Sequence, residues 1–129
     1  MQDLVFSNYA RPDYSPNKVL DIIQNPENIV YLSPISFWEI AIKLQTGKLT
    51  LQGVSLIHLP QIAKEYDFTI LKPATYDYLT IGQIPLKENH HDPFDRMLIQ
   101  QAIRNNLVLI SKDEKFRQYE ENGLQLLWE

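Results

Sequence analysis

The apolar positions fall into short unbroken runs and longer runs at helical spacing, and from Ile29 onward the two kinds alternate. Ile29-Val30-Tyr31-Leu32 is an unbroken run, and Ser33-Pro34 then opens the helical stretch ISFWEIAIKLQTG, which Gly47 ends. Asp92-Pro93 opens a second long helix, with Asp as cap and Pro in the first helical position. Phe94, Leu98, Ile99, Ala102 and Ile103 carry its apolar face until Asn105-Asn106. Leu107-Val108-Leu109-Ile110 follows as another unbroken run. Phe68–Leu71 and Leu124–Trp128 read as further strands, bounded by Pro73 and Gly123. Shorter helices are predicted from Ser15-Pro16 to Asn25, from Pro60 to Tyr66, and after a Thr75 cap, while Lys48–Leu59 reads mostly as connection. Unbroken apolar strands suit a sheet covered on both faces. The alternation argues an α/β fold, one domain over residues 1–129, with a mainly parallel sheet between helices.

This pattern carries a consequence for three acids. A helix of roughly 11 residues runs about 16 Å, and about five strand residues return about the same distance. Asp95, in the first turn after Asp92-Pro93, and Asp113, just past the following strand, therefore face one crevice at the sheet edge. Glu39 lies within two turns of its own helix start, near that same edge. Each acid also has a structural reading. Asp95 favours the positive end of its helix, Asp113 caps a turn, and Glu39 completes a capping box with Ser36 or pairs with Lys43 at i,i+4. Together they would repel, and a cation would relieve the repulsion. Oxygen ligands without sulfur suit Mg²⁺ or Mn²⁺, and such ions serve phosphodiester hydrolysis. Arg96 and Lys112, beside two of the acids, are candidate phosphate contacts.

Composition narrows the chemistry. The chain has 129 residues and no cysteine, which excludes disulfides, thiolate catalysis and cysteine-held zinc. No apolar run approaches the roughly 20 residues of a membrane span, so no membrane association is expected; a reducing cytoplasm is compatible with the missing cysteines. A net charge of −4 gives no general attraction to nucleic acid, so any such binding needs a local patch or bound cations. His90-His91 read as loop residues, His58 as a half-buried surface residue, and no glycine-rich phosphate loop is present.

The segments SFWEIAIKLQTGKL (36–49), HHDPFDRMLIQQAI (90–103) and LVLISKDEKFRQY (107–119) resemble the PIN-domain ribonucleases, specifically the VapC-like toxins of bacterial toxin–antitoxin pairs. The resemblance runs from Ser15 to Trp128. It implies a PIN-like three-layer sandwich and a Mg²⁺- or Mn²⁺-dependent endoribonuclease whose metal-binding acids fall on Glu39, Asp95 and Asp113. It also implies an RNA substrate, an antitoxin partner and a homodimer. The front of the chain departs from the pattern, which has a central first strand ending in an aspartate. Either Asp3 stands for that aspartate as a fourth metal ligand, behind only Met1 and Gln2, or Leu4-Val5-Phe6 match the apolar residues after it and the acid is absent. The expected sheet thus lacks all or part of its first strand. The alternative function is a catalytically degenerate PIN module that docks an antitoxin or partner subunit.

Overall fold

The computed structural model describes the backbone of residues 3–6, 17–88, 92–111 and 113–127, and side chains from residue 19 onward within those ranges. Asp3–Phe6 (β1), Ile29–Leu32 (β2), Thr69–Ile70 (β3), Val108–Ile110 (β4) and Gln125–Leu127 (β5) form one sheet in the order β3-β2-β1-β4-β5. Every pairing is parallel. Five helices connect the strands: Asn17–Gln24 (α1), Pro34–Gln45 (α2), Leu59–Glu65 (α3), Thr75–Leu79 (α4) and Pro93–Arg104 (α5). A 3-10 segment, Glu114–Asn122, lies between β4 and β5. This is the α/β class that the alternation predicts.

Successive strand residues point to opposite faces, and the core divides accordingly. Tyr31, Leu109 and Leu126 pack with α5, with Ile35 of α2, and with Phe116 and Tyr119 of the 3-10 segment. Val30, Leu32, Val108, Ile110 and Leu127 pack on the other face with Val19, Ile22 and Ile23 of α1. The sheet is therefore the middle of three layers.

The expectation of a missing first strand is overturned. β1 is the central strand, with Leu4 opposite both Val30 and Val108 and Phe6 opposite both Leu32 and Ile110. Four residues suffice because the neighbours β2 and β4 have only four and three themselves. The local stop and start signals hold where their chemistry is local. Ser33 caps α2 with Pro34 first in the helix, and Asp92 caps α5 by accepting from the Phe94 and Asp95 amides. Gly47 (φ 75°) follows α2, and Asn106 (φ 54°) follows α5, both in the left-handed region that ends helices. Two local readings fail. Ser36 lies inside α2, so it forms no capping box with Glu39, and α4 is preceded by Ala74 rather than capped by Thr75. Lys48–Leu59 also contains a 3-10 turn, Leu56–His58.

Because β1 is bonded on both sides, a proline within it breaks the middle of the sheet. Val5→Pro is expected to remove about 3 kcal/mol or more of stability, a large share of a domain's usual 5–15 kcal/mol. Urea unfolding checks this, and an unchanged midpoint would deny β1 its central position.

Candidate functional site

β2 and β4 both deliver the chain to the carboxyl edge of the sheet, where α2 and the 3-10 segment begin. Ser33, the first residue after β2, is fully buried and does two jobs. Its Oγ accepts from the Ile35 amide and donates to Oε1 of Gln101 on α5 at 2.6 Å. One turn and a half further along α2, the Trp38 ring meets the Phe94 ring of α5 edge to face, with centroids 5.0 Å apart at 85°. The two contacts run in opposite chain directions, so α2 and α5 lie antiparallel. The turn carrying Glu39 thus stands against the turn carrying Asp95.

Both acids are buried, at 5% and 8% exposure, which is costly for carboxylates unless something compensates the charge. Glu39 Oε2 is paired with Lys43 Nζ at 3.1 Å, the i,i+4 pair that the sequence suggests. Glu39 Oε1 is buried and takes no hydrogen bond among the described residues. Asp113 stands further out, half-buried at the end of β4. Its Oδ1 accepts from the Lys115 amide and its own amide donates to Ser111 Oγ, so its turn-capping role is realised. Among the described residues no three acids or histidines stand close enough to enclose an ion. The described residues thus show two buried acids on the packed helices α2 and α5, with Asp113 after β4, and no tight triad.

Asp3 is not at this edge. It pairs with Ile29, the first residue of β2, three residues before Phe6 reaches Leu32 and Ile110. At about 3.3 Å per residue it lies roughly 10 Å back along the strand. By backbone register Asp3 lies at the opposite end of β1 from that edge.

Arg96 also departs from its expected role. It is buried, and its guanidinium donates to the carbonyls of Pro85 (3.1 Å), Ile84 (2.9 Å) and Ile81 (3.4 Å). It also hydrogen-bonds the Tyr119 hydroxyl. With its donors spent on the fold, it is not free for a phosphate. Lys112, His90 and His91 lie outside the described residues. His58 is exposed, its Nδ1 2.9 Å from Ser55 Oγ.

Several buried polar residues escape a residue-by-residue reading of the sequence. Gln100 Nε2 donates to Thr80 Oγ1 at 2.6 Å, and Asp77, 1% exposed, is paired with Arg104 Nε at 3.0 Å. Arg96, Gln100 and Arg104 are spaced by four and form one stripe of α5 that fastens α4 and the segment after it. That spacing was the available clue.

A family model for the PIN domain matches residues 5–122. The chain belongs to the PIN domain family. Solved structures with a similar fold include VapBC2 from Rickettsia felis, bound to a DNA fragment from their promoter, at 17% identity and a TM-score of 0.69, covering 99% of this chain and 100% of that one. VapBC-1 from nontypeable Haemophilus influenzae matches at 19% identity and a TM-score of 0.70, over 98% of this chain and 97% of that one. A domain of a functionally unknown protein from Methanocaldococcus jannaschii matches at 12% identity and 0.60, over 100% and 91%. A comparison with curated proteins finds no significant sequence relative. Among the described residues no helix is long and apolar enough to cross a membrane.

In this PIN domain β1 ends at Phe6, and its one acid, Asp3, stands at the strand's start. The remaining donors still fit a divalent ion of the Mg²⁺ type. They are carboxylate oxygens, one of them buried and unbonded, and Mg²⁺ commonly takes one or two carboxylates while keeping waters and substrate phosphate as its other ligands.

Arg96 gives a testable account of the wall beside the pair. Burial pushes the Tyr119 hydroxyl above its ordinary value of 10.0; the Arg96 charge and hydrogen bond, then Lys87, pull it back, while Asp95 raises it. A hydroxyl that ionises later in the folded than in the unfolded chain leaves stability intact below about pH 10 and erodes it as pH rises through the folded value. Arg96→Met is expected to raise Tyr119 further and to cost about 3 kcal/mol by stranding buried carbonyls. Ultraviolet titration and urea unfolding measure both, and an unmoved Tyr119 titration would contradict the contact.

Proposed function

We propose that this PIN domain is a divalent-metal-dependent endoribonuclease acting as the toxin of a toxin–antitoxin pair, folded as one unit over residues 1–129. The observation that carries the reading is the buried pair Glu39 and Asp95 at the carboxyl edge of a parallel sheet, with an oxygen of Glu39 left unbonded. Family membership supports nuclease chemistry, since PIN domains are generally nucleases. The fold shared with VapBC structures supports an antitoxin partner, and the homodimer follows from the family resemblance of the sequence.

In this reading Glu39, Asp95 and, from the rim, Asp113 would hold Mg²⁺ or Mn²⁺ and orient the attacking water. The bound ion supplies Lewis-acid polarisation of the scissile phosphate. The protein's own part is positional. The α2–α5 contact keeps the two carboxylates together, and burial restricts competing water. Lys112, beside Asp113, remains the candidate phosphate contact; the net charge of −4 makes bound cations the route to RNA, and the absence of cysteine suits a reducing cytoplasm.

The place of Asp3 at the start of β1, where the family resemblance has its aspartate at the strand's end, favours a second reading, a PIN module that binds its partner without cleaving. Cleavage of single-stranded RNA in Mn²⁺ separates the two. Activity is expected to vanish in EDTA and to fall by more than about a hundredfold in Asp95→Asn, beyond the usual cost of losing a ligand's supporting contact. Activity indifferent to both changes would refute the site. No activity, together with no calorimetric Mn²⁺ binding even at millimolar concentration, would establish the binding module instead.

A further inference from the structure

Trp38 is 59% exposed, although Ile35 and Glu39 on the same helix are each 5% exposed. A tryptophan left this far in water forgoes much of the burial that usually stabilises it. Its ring is nevertheless held. Phe94, itself packed against the main core, meets it edge to face at 5.0 Å. The pairing has a pattern in the sequence, because Trp38 precedes Glu39 and Phe94 precedes Asp95. Each aromatic ring is one residue from one acid of the buried pair, a Cα separation of about 3.8 Å. The result is an exposed indole held by Phe94 at the contact of α2 with α5, which forms the lip of the proposed site.

We propose that Trp38 is a stacking platform for a nucleobase of single-stranded RNA, next to the phosphate that is cleaved. The proposal rests on the nuclease reading and adds its substrate class. A phosphodiester lying at Glu39 and Asp95 brings the base of an adjoining nucleotide to within one sugar of the lip. Every base has a flat π face, so stacking there tolerates sequence. A base paired inside an RNA duplex is already stacked on its neighbours, whereas an unpaired one can be splayed onto an aromatic side chain. The anchoring by Phe94 matters because a preset ring loses little freedom on binding.

The test uses the full chain carrying Asp95→Asn, so that binding is read without turnover. Fluorescence anisotropy with a short single-stranded RNA compares Trp38, Trp38→Phe and Trp38→Ala. The alanine change is expected to weaken binding about tenfold, within the range for loss of one stacked base, and phenylalanine to retain most of the affinity. An abasic nucleotide moved along the oligonucleotide should produce the same loss at one position in the Trp38 protein and no added loss in Trp38→Ala. Circular dichroism melts establish that the variants are folded. Tight RNA binding that ignores Trp38 overturns the stacking proposal alone. The same result joined to lost inhibition by a cognate antitoxin assigns the indole to protein docking, and equally overturns it. A parent protein that binds no RNA overturns the nuclease reading and this proposal with it.

Discussion

α5 is buried on every side, from Asp95 through Ala102, and that constraint organises the molecule. A helix covered all round cannot turn its polar residues to water, so each needs something fixed opposite it. Gln101 takes the cap of α2, Gln100 takes Thr80, and Arg96 takes the carbonyls of residues 81–85. These contacts hold one helix against two separate parts of the chain, the start of α2 and residues 80–85. Between them, Leu98, Ile99 and Ala102 supply the apolar contact with the sheet layer. The position of Asp95 is thereby set from all directions before any ligand enters.

Two levels of structure follow from the same helix. On its α2 side, one hydrogen bond and one ring contact bring two carboxylates to a shared depth, which isolated helices would avoid. On its other side, the Arg96 guanidinium joins the first turn of α5 to Tyr119, and so to the segment that Asp113 caps. α5 touches both α2, which carries Glu39, and the 3-10 segment that Asp113 caps. The register of β1 limits the set, since the acid on that strand lies at its far end.

Elements bounded by local chemistry were legible in the sequence. Ser33-Pro34 and Asp92-Pro93 cap helices through their own side chains and ring geometry, and the unbroken apolar runs became strands covered on both faces. The alternation likewise gave the layer order. β1 was not legible as a whole central strand, because a four-residue strand owes its existence to the partners on either side. Arg96 was misread for a related reason. Adjacency to an acid suggests a shared site, but successive helix residues point about 100° apart, and here both directions lead into protein. Asp77 went unremarked because its burial depends on Arg104, a residue 27 positions away in number and paired only in the fold.

The central claim is that Glu39 and Asp95 form a pair built to receive a divalent ion. Crystals soaked in Mn²⁺ and measured at the manganese absorption edge would test it most directly. The account predicts one anomalous peak within bonding distance of carboxylate oxygens from both Glu39 and Asp95, with Lys43 Nζ displaced from Glu39. A well-ordered site with no such peak, or manganese bound only at other acids such as Asp113 or Asp77, would contradict it.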